Sequence, residues 1–420
     1  MKKTCLFLII FVAISVVALG MSTAAVAKDK PIKIGFMGNL SSPATRSAEA
    51  AAKLAVSEMN EAGGILGQPV ELILEDTKGE IPKCIEIYKK LVMYNKVDVV
   101  VVAEKVEMGV AGMEIGAELF REFPHIMFST IGSGDTIWHH VRDNYDKYKF
   151  GFQTYYYIST NYLDIMGKEV LPDFFKNTVG TNKVAIIYED MEWTKPLRKG
   201  LKGVSDGLRS EYEKKGIEVV YEATLSLDQK VFSTVFEEIA ASGAGVMDCV
   251  VGYIDQGSFI KQWAQSSASD IPWFIWGGLA GMPVAWKMTE GKISGGSVGS
   301  SFVKVAITEK TIPFMNDMVE KYKTGPIFGS HTTYDTLRGY KKAVEQAGGT
   351  KDVEKVIKAL EQVREVDVLG TIGWNPKYHY NLPYPEYITP IVQWQNGEMV
   401  VVIPENLATG KFKSPAELRK

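Results

Sequence analysis

The clearest catalytic pattern in this chain is Gly295-Gly296-Ser297-Val298-Gly299, which matches the GxSxG elbow of a serine hydrolase. An elbow needs a strand before the serine and a helix directly after it, so that the hydroxyl is lifted clear of a sheet. Here glycines and Lys292 come first, and residues 300–307 read as a strand. A flexible glycine-serine turn fits those neighbours better than a nucleophile at Ser297. His139 and His140 are adjacent, so their side chains point apart and cannot share a metal ion. His139 and Asp143 stand at i and i+4, a pair too common to define a metal site. Gly63-Gly64-Ile65-Leu66-Gly67 closes a helical pattern rather than opening one, so it cannot cradle a phosphate on a helix N-terminus. No GxxxxGK(S/T), HExxH or CxxC occurs. Nothing in these patterns commits the chain to catalysis, a cofactor or a metal.

Aromatic residues give a second pattern. Trp193 lies five residues beyond a strand-like run that ends at Tyr188. Tyr155, Tyr156 and Tyr157 fall where one series of elements gives way to the next. Tyr253 follows the apolar run 246–251, and Trp276 closes the run 273–276. Small-molecule sites favour aromatic walls with a few polar groups. Aromatics gathered beyond strand ends are therefore the candidate ligand surface.

The elements that must position them follow a regular order. Ile32-Lys33-Ile34-Gly35-Phe36 alternates like a strand, and a helix with Ala48, Ala51, Ala52, Ala55 and Met59 on one face comes next. Val70, Leu72 and Leu74 make a strand, followed by a helix that buries Cys84. Residues 97–102 are nearly all β-branched, as in a strand covered on both faces. A further helix and the strand 125–129 complete the series. The rhythm then restarts with strands at 183–188, 218–221, 246–251 and 273–276, and with helices at 195–215, 231–241 and 260–264. Strand-helix alternation of this kind predicts two α/β units, each a doubly wound parallel sheet. The tail adds helices near 312–322, 334–347 and 353–362, then strands near Thr371, 388–394 and 400–403. Open parallel sheets bind ligands beyond the carboxyl ends of their strands, and two facing sheets make a cleft suited to hinge closure.

Composition fits such a protein. The 420 residues are 46% hydrophobic and 23% charged, which excludes disorder, collagen and coiled coil as the dominant state. A formal net charge of −3 offers no basic excess for nucleic acid or anionic lipid. Lys2 and Lys3, the apolar run 6–19 and Ala25-Val26-Ala27 describe a secretory signal peptide, 1–27, cleaved near Ala27. The run falls short of the roughly 20 residues that span a bilayer. The expected product is exported to the periplasm and soluble. Three cysteines are too few for a disulfide scaffold; Cys84 and Cys249 read as small core residues.

These residues resemble the leucine/isoleucine/valine-binding type of periplasmic solute receptor, which feeds ABC importers. The likeness spans nearly all of the mature chain. Its firmest points are Ile32-Lys33-Ile34-Gly35, the stretch from Ala55 through Asn60 to Gly63-Gly64 and Gly67, and Glu75-Asp76. Further matches are residues 183–190 with Trp193, residues 343–348, Gly370, and Gln393-Trp394-Gln395-Asn396-Gly397-Glu398. The resemblance implies a type I periplasmic binding protein (Venus-flytrap) fold with a three-crossover hinge. Lobe 1 would take residues 31–154 and 300–370, and lobe 2 residues 155–299 and 371–420.

It also implies no catalysis and no cofactor. A ligand bridges the lobes, and an ABC permease in the inner membrane reads the closed form of a monomer. The other functional class is a periplasmic sensor that presents its closed form to a receptor or kinase. Ser42 and Arg46 fall in the loop opening the first helix, where a cation could meet an anionic ligand; Ser133 matches a ligand-binding threonine of the family, and Trp193 its aromatic lid. Tyr155, Tyr253 and Trp276 complete the expected walls. The family's amino-acid binders hold the α-carboxylate with hydroxyls and the ammonium partly with a lobe 2 Glu. This chain has Glu104-Lys105-Val106-Glu107 where a serine is expected and Gly277-Gly278 where the acid is expected. Either Glu104 or Glu107 supplies the missing acid, or the ligand is an amide or an aromatic or short-chain carboxylate.

Overall fold

In the computed structural model, residues 30–132, 134–155, 159–201, 205–327, 329–382 and 389–419 are described. The expected signal peptide, Ser133, Tyr156 and Tyr157 lie outside them.

Short apolar runs build the first sheet. β1 (Ile32–Gly38), β2 (Val70–Asp76), β3 (Val99–Val102), β4 (Ile126–Ser129) and β5 (Gly151–Gln153) lie parallel in the order β2-β1-β3-β4-β5. The four valines of β3 are fully buried, each contributing about 1.5–3 kcal/mol of hydrophobic stabilisation. α1 (Pro43–Glu61) starts with a proline at its first turn, where no backbone N–H is needed. Its fully buried alanines, Ala48, Ala51, Ala52 and Ala55, give it a flat face for close packing. α2 (Ile81–Lys89) carries Cys84, and α3 (Val106–Leu119) follows β3.

The second sheet contains β6 (Lys183–Glu189), β7 (Glu218–Leu225), β8 (Val246–Val250), β9 (Trp273–Ile275) and β10 (Ser297–Gly299), all parallel. β11 (Glu365–Asp367) and β12 (Gly370–Ile372) form a separate antiparallel pair. β13 (Ile391–Gln395) and β14 (Glu398–Ile403) then extend the second sheet antiparallel, in the order β14-β13-β10-β9-β8-β6-β7. The expected type I architecture is therefore present, with a mixed edge made by the tail.

The chain passes between the sheets three times. It leaves the first after β5 and returns after β10, when helices Thr311–Tyr322 and Ser330–Ala347 pack on α1; it crosses again before β13. Two crossing segments are tied together. Gln153 donates its N–H to the His379 carbonyl at 2.8 Å, and Asn381 donates back to the Gln153 carbonyl at 2.9 Å. The Asn381 Oδ1 also accepts the N–H of Tyr155.

Some expected elements differ. Residues 300–307 are not a strand: pairing ends at Gly299, and the Ser300 hydroxyl bonds the Gly281 carbonyl as the chain leaves the sheet. The helix expected over 195–215 is broken into Lys195–Lys199 and Leu208–Lys214, with Gly200 and Gly207 at positive φ between them. Cys84 and Cys249 are free and fully buried, as their apolar surroundings indicate. Burial pushes the Cys84 thiol up to about 12, with the nearby Glu104 charge adding to the shift.

Candidate functional site

The carboxyl ends of both sheets open on one cavity of about 490 Å³. From the first sheet, Asn39 follows β1, Lys78 and Gly79 follow β2, Glu104 and Lys105 follow β3, and Ile131 follows β4. Ser42 and Thr45 line it from the start of α1. From the second sheet, Trp193 follows β6, Gly252 and Tyr253 follow β8, and Trp276 and Gly278 follow β9. Tyr155, just after β5, faces the same space. Six of the eight residues singled out in the sequence thus meet here: Ser42, Glu104, Tyr155, Trp193, Tyr253 and Trp276. Ser133 lies outside the described residues.

Arg46 does not join them. The helix begins at Pro43, so Arg46 sits within its first turn rather than in a loop. Successive residues of a helix rotate by about 100°, which turns Thr45 inward and Arg46 out to solvent. The cations at the cavity are Lys78 and Lys105, both exposed at its edge. Glu107 stands exposed on α3 and is not among the lining residues.

The walls are aromatic and held from behind. Trp193 and Trp276 are mostly buried, at 8% and 7% exposure, whereas Tyr253 is 59% exposed. Glu189, the last residue of β6, is fully buried and orients two of these walls. Its Oε1 accepts the Trp193 indole N–H at 2.7 Å. Its Oε2 accepts the backbone N–H groups of Gly252, Tyr253 and Ile254 at 2.9, 2.7 and 3.1 Å. Trp276 is met edge-on by Tyr162, with ring centroids 5.3 Å apart. The Tyr162 hydroxyl in turn donates to Asp248 at 2.8 Å, and Tyr212 donates to the other oxygen at 2.6 Å. Burial pushes the Asp248 carboxyl up to about 6, against the pull of these two hydroxyls.

On the opposite side Glu104 is 7% exposed and accepts the Thr77 hydroxyl at 2.6 Å. Sequence reasoning missed Glu189, Asn39, Thr77 and the two lysines. For Glu189 a signal existed: an acid ending a strand four residues before Trp193.

The patterns that suggested chemistry are placed elsewhere. Ser297 is buried in β10, and its hydroxyl meets no hydrogen-bonding base among the described residues. His140 pairs with Glu114 at 2.9 Å, away from His139. Among the described residues no group of three His, Cys, Asp or Glu side chains could hold a metal ion. No described helix is long and apolar enough to cross a membrane.

Parallel sheets whose carboxyl ends face across an aromatic-walled cavity define a ligand-binding protein of the hinged, two-lobed class. The family model for periplasmic binding proteins matches residues 31–382, and the chain belongs to that family. The Leu/Ile/Val-binding protein homolog 8 of Brucella suis biovar 1 (strain 1330) is 24% identical over 419 residues, covering 93% of this chain and 95% of that one. A solved structure from Silicibacter pomeroyi, ascribed to a branched-chain amino acid ABC transporter, superposes with a TM-score of 0.79. It is 19% identical and covers 92% of this chain and 99% of its own. The branched-chain amino acid binding protein LivJ of Streptococcus pneumoniae, solved with isoleucine, gives a TM-score of 0.68 at 18% identity. There the coverage is 88% of this chain and 98% of that one. The resemblance read from the motifs is thereby borne out at the level of family and fold.

Proposed function

We propose that this chain is the exported substrate-binding subunit of an ABC importer of the branched-chain amino acid type. It captures a small organic ligand (an amino acid, an amide or an aromatic or short-chain carboxylate) between two lobes and delivers it to a membrane permease. Lobe 1 takes residues 31–154 and 300–370; lobe 2 takes 155–299 and 371–420. The ligand touches both lobes and binds the closed arrangement better, so it shifts the open–closed equilibrium toward closure. No bond is made or broken, and the working form is a periplasmic monomer after cleavage near Ala27.

One observation carries this reading: a cavity lined from two sheets, with Glu104 and Thr45 on one side and Trp193, Tyr253 and Trp276 on the other. Its volume of about 490 Å³ falls within the range of small-molecule sites, roughly 300–1,000 Å³. The transporter type to which the Silicibacter and Streptococcus structures are ascribed supports the transport class. The test is a thermal-shift screen of residues 28–420 against amino acids, amides, and aromatic and aliphatic carboxylates. A ligand at 100 times its Kd adds about 2.7 kcal/mol of stability, which moves the unfolding midpoint visibly. A library with no hit would count against capture.

A further inference from the structure

We propose that Gln153 is a positioning residue that couples ligand contact to lobe closure: its backbone is a rung of the hinge, and its side chain holds a segment that bounds the cavity. This rests on the ligand-capture reading and assigns the residue that transmits it.

Gln153 ends β5, where the first crossing begins, and it is fully buried. Its main chain pairs with the third crossing, donating to the His379 carbonyl and accepting the Asn381 N–H. Its side chain serves a different segment, the one that follows β4. Nε2 donates to the Gly132 carbonyl at 2.8 Å and to the Gly134 carbonyl at 2.9 Å, which uses both amide hydrogens. Ile131, beside this pair, lines the cavity. So does Tyr155, whose N–H is held by the Asn381 side chain. The hinge pairing thus reaches cavity residues by two short routes, one of them through the Gln153 amide.

The segment after β4 has little room to settle elsewhere. A Cβ on Gly134 would lie 2.9 Å from a Val106 methyl, and one on Gly132 would lie 3.1 Å from the Val106 Cα. Val106 begins α3, directly after Glu104 and Lys105 of the cavity. A second tie runs alongside. Asp135 accepts the N–H of Thr160, beyond the first crossing, at 3.1 Å, and the Trp138 indole at 3.1 Å. The Trp138 ring lies 5.4 Å from that of Tyr380, in the third crossing. Buried carbonyls that lose their donor are costly, so a shift of the crossings either carries this segment with it or breaks both amide bonds. A ligand that fixes the segment therefore favours one hinge arrangement, and by linkage that arrangement favours the ligand.

Nitroxide labels at Glu122→Cys and Glu237→Cys, exposed positions in lobe 1 and lobe 2, read closure as a distance. The native thiols, free but fully buried, stay unlabelled. The probe is whichever of leucine, benzoate and acetamide binds the wild type by calorimetry, and it should shorten that distance. Gln153→Met keeps the length of the side chain and removes the amide. It should weaken the probe about 5-fold or more and lower the closed fraction at saturation. Val100→Ala, a core change in β3, should lower the unfolding midpoint and leave the saturated closed fraction as it was. A merely structural role for Gln153 would give that same result. An unchanged closed fraction in Gln153→Met, with the probe bound, overturns the coupling and leaves capture intact. So does a wild type that binds a probe without closing. Gln153→Asn, one methylene shorter, carries the same expectation should the methionine variant fail to fold. Should none of the three probes bind, the best hit of the wider screen takes their place, and a screen with no hit overturns capture and coupling together.

Discussion

The Glu189 carboxylate and the Trp193 indole are joined by a 2.7 Å hydrogen bond across one turn of chain. The same carboxylate gathers the N–H groups of residues 252–254, so one buried side chain fixes an aromatic wall and the loop bearing Tyr253. Glu189→Gln puts an amide NH₂ among four donors and removes the charge that attracts them. We expect a loss of about 2–4 kcal/mol in urea unfolding, since these are buried, charge-assisted bonds. Tryptophan emission should shift to the red as Trp193 loosens. A variant with wild-type stability and spectrum would show that the loop holds itself.

Trp193 lies four residues beyond the end of β6 at 8% exposure, and it reaches the cavity with its N–H already satisfied. Its ring is thus available for apolar or cation–π contact with a ligand. Trp193→Ala should weaken any probe that binds the wild-type protein by about 10-fold or more, as for a buried aromatic anchor. Calorimetry reads this directly. An unchanged Kd would remove the residue from the site.

Much of this arrangement was legible in the residues. The valines of β3 could only be a doubly covered strand, and the alanine stripe of α1 could only pack closely. Glu104, Trp193, Tyr253 and Trp276 follow strand ends, where ligand sites form in open sheets. What escaped reading did so for physical reasons. Only the local half of the role of Glu189, the acid four residues before Trp193, is written in the chain; the other half depends on N–H groups more than sixty residues away in sequence. Arg46 was misplaced because Pro43 starts the helix early and rotates the residue outward. The helical stretch 159–179 was not seen at all. Its wide π-type turns and Pro172 blur the 3.6-residue period, although Tyr162, Leu163, Phe174 and Phe175 are buried.

The glycines that imitated a hydrolase elbow have a packing role behind the cavity. A Cβ on Gly299 would lie 2.6 Å from the Trp276 ring, and one on Gly296 would lie 2.0 Å from the Trp273 ring. Neither contact is tolerable without movement of an indole. Gly299→Ala should cost about 1–3 kcal/mol by overpacking and displace Trp276 from the cavity wall. It should therefore lower probe affinity as well as stability. Ser297→Ala, between them, should leave both nearly unchanged, because the hydroxyl has no partner among the described residues. Denaturation curves and one titration per variant distinguish the two residues.

Acid sensitivity should come in part from His331, on the helix that packs against α1. It is 1% exposed, stacked near Phe302 and Phe314 with ring centroids at 5.9 and 5.1 Å. Burial drives its imidazolium form out, lowering the pKa to about 3. In the unfolded chain the ring takes a proton near pH 6.5, whereas in the folded chain it stays neutral until about pH 3. Stability from this group is therefore complete above pH 6.5 and drains away as pH falls toward 3, by about 1.4 kcal/mol per pH unit. Asp248 acts in the opposite sense: its raised pKa makes the folded state gain relative stability as pH falls from about 6 to about 4. Comparing His331→Phe with wild type cancels that background. The ring stack is kept, and the loss of unfolding free energy between pH 7 and pH 4.5 should shrink by about 2–3 kcal/mol. Parallel pH profiles for the two proteins would mean that His331 takes up its proton in the folded state as readily as in the unfolded one.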